Sequence, residues 1–218
     1  MDFDINAFMY GLATWAIPVL FAITLHEVAH GWMANKLGDS TAKMLGRLSL
    51  NPIKHVDPIG TIAVPVVLLL LNAPFLFGWA KPVPVNFRNL KNYRKDMVLV
   101  AIAGPLANLL MAVLWIILLI VFANLIPNEN VARGFMAMSQ NGIMINLVLL
   151  VFNLLPIPPL DGGRVLSGLL PPSISSVLDQ IEPYGMIIVV ALLYFGVLDN
   201  IIMPLVGTLA ALLGHLFF

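Results

Sequence analysis

There is no cysteine among the 218 residues of this chain, and only 10% of them are charged. The first absence excludes thiolate metal ligands, disulfides and cysteine catalysis, leaving histidine, aspartate and glutamate as the strong metal ligands. The second excludes an ordinary soluble domain, in which about 25% of residues carry charge. With 60% hydrophobic residues, the chain reads as an all-α polytopic membrane protein, because a spanning helix satisfies its own backbone polar groups in hydrocarbon. A formal net charge of zero argues against nucleic acid as a partner. The polar remainder is too short for a separate soluble domain of about 50 residues, so residues 1–218 are expected to form one domain. Residues 1–6 carry Asp2 and Asp4 and no basic residue, so they lack the positive start of a cleaved signal peptide and the first apolar segment is expected to stay.

What the chain does have is Leu-His-Glu-Val-Ala-His-Gly at 25–31, late in that first apolar segment. On a helix, His26 and His30 project from one face a turn apart, where two imidazole nitrogens can meet one metal ion with Glu27 beside it. Zinc in such a site keeps a position open for water and lowers its pKa toward neutrality, and a neighbouring carboxylate can take the proton and hand it to a leaving amine. Glu27 is the candidate base. Single histidines in apolar helices are often only hydrogen-bonded to a neighbouring helix. Here, however, three ionisable residues lie together in a segment that otherwise reads as membrane-spanning, where each costs a few kcal/mol unless partnered.

Hydropathy predicts full spans at 7–36, 97–126, 136–155, 184–198 and 201–218, with a kink at Pro18. The histidines fall about 10 residues before Lys36, some 10 to 15 Å below that surface. Residues 37–57 are polar, and residues 58–80 are apolar but interrupted by Pro65 and by Asn72-Ala73-Pro74, a turn signature. Nine of the eleven basic residues lie between Lys36 and Lys95, in the two loops flanking 58–80. The positive-inside rule puts both loops in the cytoplasm, which requires 58–80 to enter and return on one side as a re-entrant hairpin, with the N-terminus outside and the C-terminus inside. Residues 81–86, Lys-Pro-Val-Pro-Val-Asn, must be extended because each proline disfavours helix before it. Asn146 and Asn153, seven residues apart, share a helix face, where hydrogen bonding between helices is their default role.

A catalytic zinc site usually takes a third protein ligand. Asp161 is the acid best placed to enter the membrane zone, following the apolar run that ends in Pro-Ile-Pro-Pro-Leu and preceding Gly162-Gly163. The alternative is that Asp161 caps a short helix beginning at Gly162.

With His-Glu-Val-Ala-His at 26–30, Ala-Gly-Pro-Leu-Ala-Asn at 103–108 and Asn-Leu-Leu-Pro-Ile-Pro-Pro-Leu-Asp-Gly-Gly at 153–163, in that order, the chain resembles the site-2 protease family of intramembrane zinc metalloproteases. Three separated motifs are far more specific than a lone His-Glu-x-x-His. The resemblance covers about residues 15–170; the catalytic core would be about 7–170, with C-terminal helices at 184–218. It implies that His26, His30 and Asp161 bind Zn2+, that Glu27 activates water, and that Asn153 places substrate or stabilises the oxyanion. The substrates it implies are transmembrane or membrane-proximal segments of other membrane proteins, cut near the cytoplasmic face. The stretches 51–61 and 78–86 are similar to those of small bacterial members, and neither a PDZ insertion nor CBS domains are evident. The family holds substrate extended against an edge strand, for which residues 83–86, with Val83, Val85 and Asn86, are the candidate; a plain proline-rich connector is the alternative. Asn108 is a candidate for orienting a zinc ligand or contacting substrate. His55 and Asp57 could supply a metal contact or orient a ligand, with a solvated loop as the default. The expected location is the cell membrane of a bacterium or archaeon, in contact with the lipid bilayer; the oligomeric state is left open. A transporter or metal-ion carrier is the rival function, since intramembrane His, Asp and Asn also mark ion pathways. A catalytically dead binding protein that keeps the fold is a third.

Overall fold

The computed structural model describes residues 4–71, 73 and 78–217. Among the described residues eight α-helices follow one another: α1 (Ile5–Leu37), α2 (Thr41–Met44), α3 (Val64–Leu70, entered through a wider helical turn at Pro58–Ala63), α4 (Tyr93–Leu125), α5 (Glu129–Asn153), α6 (Asp161–Leu169), α7 (Pro172–Tyr194) and α8 (Asp199–Phe217). Five of them, α1, α4, α5, α7 and α8, are long and apolar enough to cross a membrane. No strand occurs among the described residues. The chain is thus an all-α integral membrane protein.

The spanning helices start and stop at positions that local chemistry explains. Asn128 accepts hydrogen bonds from the N–H groups of Asn130 and Val131, so α5 begins at Glu129 rather than at the expected 136. Pro172 starts α7, a position where its missing N–H costs nothing. The fourth span is therefore Pro172–Tyr194, not 184–198. In both cases an apolar window finds only the hydrocarbon part of a helix whose polar first turns continue beyond it. α1 runs as one helix through Pro18.

One apolar cluster joins the middle and end of the chain, with Leu147, Leu150 and Val151 of α5 against Val189 and Leu193 of α7 and Ile202 and Val206 of α8. α1, α4 and α5 each contact the other two. Close approach of α4 and α5 depends on Gly142, where any Cβ would fall onto the Trp115 ring. Small residues at such crossings are how helices associate in lipid, where no hydrophobic force separates helix from solvent.

Asp57 accepts from the N–H groups of Ile59 and Gly60 and so starts the Pro58–Leu70 helix. The far end of the 58–80 segment returns to this start. Trp79 N–H donates to Gly60 O at 3.0 Å, Thr61 Oγ1 donates to Trp79 O at 2.8 Å, and Lys81 N–H donates to His55 O at 2.9 Å. The two described ends of the segment are thus tied together. Its expected turn at Asn72-Ala73-Pro74 involves Asn72 and Pro74, which lie outside the described residues.

Candidate metal centre and its surroundings

α1 supplies His26, Glu27 and His30, and α6 supplies Asp161 as its first residue. The two helices meet because α6 begins directly on the end of α5: a Cβ on Gly162 would fall onto the Leu154 and Leu155 carbonyls. α4 passes close by at Gly104, where a Cβ would collide with both imidazoles. Glycine at 104 therefore sets the distance between α4 and the histidine pair.

The ring nitrogens of the histidines have defined roles. His30 Nδ1 lies 2.7 Å from Val100 O, and a carbonyl only accepts, so Nδ1 carries the proton. For His26 the assignment comes through a chain of amides. Asn146 Nδ2 donates to Gly142 O at 2.8 Å, which turns Asn146 Oδ1 toward Asn108. Asn108 Nδ2 donates to that oxygen at 3.0 Å and to Ala22 O at 3.2 Å. Asn108 Oδ1 therefore faces His26 Nδ1, 2.6 Å away, and accepts its proton. With the proton on Nδ1, each ring in its neutral form points a bare Nε2 lone pair inward, the arrangement that outer hydrogen-bond partners impose on metal-ligating histidines.

The two Nε2 atoms are 3.0 Å apart, and each is 3.3 Å from Asp161 Oδ2. That oxygen is buried with no hydrogen-bond donor. These three candidate ligand atoms converge within 4.8 Å of one another. Burying a carboxylate this way is costly unless a cation sits among the acceptors. A tetrahedral zinc ion with bonds of about 2.0–2.1 Å holds its ligands roughly 3.3 Å apart, so the donor set fits it in type and spacing. Asp161 is not a cap: Leu160 takes the capping position of α6, and the helix start receives no side-chain hydrogen bond.

Glu27 projects from α1 about 60° round the helix from His30 and about 100° from His26. Its Oε2 accepts the Val83 N–H at 2.7 Å. A Cβ on Gly31, one turn on, would meet Val83 and Leu48, so this flank of α1 is covered by residues 79–86 and 41–48. Residues 83–86 belong to no helix or strand among the described residues. Side chains hold the stretch instead: Arg47 Nη2 donates to Lys81 O at 2.9 Å, and Asn86 N–H donates to Asp39 Oδ2 at 2.7 Å. Val85 packs near Ala34, Leu90 and Val100.

The remaining candidates fall away from the metal ligands. His55 is 1% exposed rather than solvated, with Nε2 donating to Ser49 O at 2.8 Å. Asp57 is the helix cap described above. Neither belongs to the His26, His30 and Asp161 group. Asn153 Nδ2 donates to Leu149 O of its own helix at 2.9 Å, so it makes no interhelical bond; Asn146 alone takes that role. The Asn108–Asn146 relay behind His26 has no local signal in the sequence, although Asn108 is itself a candidate residue.

Two histidines and a buried carboxylate converging within a bundle of helices long and apolar enough to span a membrane define a membrane-embedded metal-dependent protein. The comparisons with known proteins give its family. Over 88% of its length the chain is 42% identical to a Bacillus subtilis (strain 168) protein named "Putative zinc metalloprotease YwhC", covering 84% of it. It is 31% identical over 90% of its length to Rip2 of Mycolicibacterium smegmatis, covering 71% of that protein. It is 30% identical over 73% to MJ0611 of the archaeon Methanocaldococcus jannaschii, covering 76% of it; both are named in the same terms. The pattern of Peptidase family M50 matches residues 120–196. The chain belongs to this family, the site-2 proteases, and is a zinc-dependent metalloendopeptidase of the membrane. No solved structure matches it.

Proposed function

We propose that the protein cleaves transmembrane or membrane-proximal segments of other membrane proteins near the cytoplasmic face, with His26, His30 and Asp161 as zinc ligands and Glu27 as general base. The observation that carries this is the convergence of His26, His30 and Asp161 ligand atoms, with a separate carboxylate, Glu27, on the same helix turn as the histidines. Zinc held there would polarise a water and bring its pKa toward neutrality. Glu27 would take the proton from that water and return it to the leaving amine. His26 and His30 keep their bare nitrogens inward through Asn108 and Val100, so neither is free to compete as a base. The extended 83–86 stretch lies beside Glu27, and a substrate held extended there would have its peptide bond exposed rather than hidden in a helix. Asn153 gives one amide hydrogen to Leu149 O, and its second would remain to serve an oxyanion. A metal-ion carrier needs the ligands but no base, so Glu27 separates the two functions.

The test is Glu27→Gln in vesicles containing a single-span substrate. Gln still accepts the Val83 N–H, so the fold and zinc are expected to be kept while cleavage falls about 10²- to 10⁴-fold. Near wild-type cleavage by this variant, or zinc transport by the wild type, would favour the rival. For the side of the membrane, single cysteines at Ser49 and Asn89 should be labelled by an impermeant reagent from the cytoplasmic face, and one at Asn130 from the opposite face. Labelling of positions 49 and 89 from opposite faces would refute the topology.

A further inference from the structure

On the flank of α1 turned away from Glu27, an apolar groove of about 380 Å³ runs between α1 and α4. Its walls include Leu25, Ala29 and Trp32 of α1 and Ala103, Ala107 and Leu110 of α4. At about 100° per residue, the three α1 residues fall within roughly 60° of one another, whereas Glu27 lies about 200° from Leu25. His26 and His30 sit between the two flanks. The groove is therefore not on the side where substrate would meet Glu27, and its apolar lining offers nothing to a peptide backbone. Leu110 is 65% exposed and Trp32 51%, so in a membrane-spanning bundle the groove opens to hydrocarbon.

One end of the groove is chemically distinct. One turn beyond Trp32, Lys36 places its Nζ 5.5 Å from the centre of the Trp32 ring, at the end of α1 near which most of the chain's basic residues lie. Indole and ammonium together at the end of an apolar groove match a lipid headgroup boundary, where tryptophan prefers to sit and lysine meets phosphate. From Leu25 to Trp32 the helix rises about 10 Å, enough to lie along the upper part of an acyl chain in one leaflet.

We propose that this groove is a binding site for an anionic phospholipid, with one acyl chain between Ala29 and Ala107 and the phosphate at Lys36. The site is back to back with the metal ligands, because Gly104, which abuts both histidine rings, lies next to Ala103 of the groove wall.

The probe is phosphatidylglycerol with brominated acyl chains, compared with brominated phosphatidylcholine, in vesicles of otherwise unlabelled phosphatidylcholine holding the full chain. The signal is the fluorescence lost by Trp32, taken as the difference between wild type and Trp32→Phe. Phosphatidylglycerol should reach half-quenching at a mole fraction roughly fivefold lower, the preference one well-placed lysine gives. Lys36→Gln should remove that advantage, and Ala107→Leu, which fills the groove floor, should remove it with zinc content unchanged. Lys36 is exposed, so its substitution keeps the test valid if Ala107→Leu fails to fold. Equal quenching by both lipids, or an advantage that survives Lys36→Gln, would overturn the proposal. Trp32 shielded from both lipids would also overturn it, by showing that a protein helix fills the groove.

Discussion

On the side of α1 that faces α4, each histidine is fixed by a hydrogen bond from its outer nitrogen to a group inside the helix bundle: Val100 O for His30, and the Asn108–Asn146–Gly142 relay for His26. On the side that faces residues 79–86, Glu27 is held by a single N–H from Val83. That stretch is itself suspended from Arg47, Asp39 and the His55 carbonyl rather than packed as a helix. The difference teaches how the work is divided. Metal ligands gain from rigidity, because each misdirected nitrogen costs affinity. A base that must meet a substrate entering beside it gains from a wall that can yield. Removing parts from the two sides should therefore give different losses.

The largest expected effect lies on the rigid side. Asp161→Asn replaces an anionic ligand with an amide that binds zinc poorly. Zinc content and peptide cleavage should fall together, by more than the 10- to 100-fold typical of groups that merely orient ligands. Melting temperature of the zinc-free protein should rise or stay the same, because an unpartnered buried carboxylate has been removed. A variant that keeps stoichiometric zinc and full activity would return Asp161 to a structural role.

Asn146→Leu reaches the same side indirectly. Without the Asn146 oxygen, Asn108 loses one acceptor for its Nδ2, and its amide is free to turn and present Nδ2 to His26. That would place the His26 proton on Nε2, toward the metal. Zinc affinity should drop about 10- to 100-fold. The defect should appear in the zinc titration before it appears in turnover at saturating zinc. Equal losses at all zinc concentrations would mean that Asn146 matters only to helix packing.

How far these two sides were legible in the sequence differs as well. His26, Glu27 and His30 follow from helical spacing within one segment, and Asp161 from an acid set between prolines and glycines, supported by three family motifs. The relay could not be read, because Asn108 and Asn146 meet only through the docking of α4 on α5 around Gly142 and Trp115, and nothing local encodes that pairing. His55 sits in a polar loop that composition marks as solvated, yet the returning 79–81 stretch and the Ser49 carbonyl enclose it. Proline and valine at 82–85 predict an extended stretch, but that Arg47 and Asp39 would anchor it could not be read, because those contacts form only across the fold.

The smallest effect expected is at Asp39, where the yielding side is anchored. This carboxylate is fully buried and accepts from Thr41 Oγ1, Thr41 N–H, Asn89 Nδ2 and Asn86 N–H. Burial alone would push its pKa up, but these hydrogen bonds outweigh it and hold the carboxyl below its ordinary value. Because the folded pKa is depressed, the stabilisation is fully present above the unfolded value of about 3.9 and is lost as pH falls through the folded one. Asp39→Asn keeps the shape but turns a donor toward donors, so at neutral pH it should lower the apparent melting temperature by about 2 to 8 °C. The gap to wild type should be widest above about pH 5 and narrow as the solution becomes more acidic, because wild type loses this contribution and the variant has none to lose. A gap independent of pH would mean that Asp39 acts through shape alone. Zinc content should be unchanged at pH 7, since no ligand depends on Asp39, while cleavage falls modestly as Asn86 and Val83 loosen beside Glu27. Loss of zinc in this variant would show that the two sides of α1 are one mechanical unit rather than two.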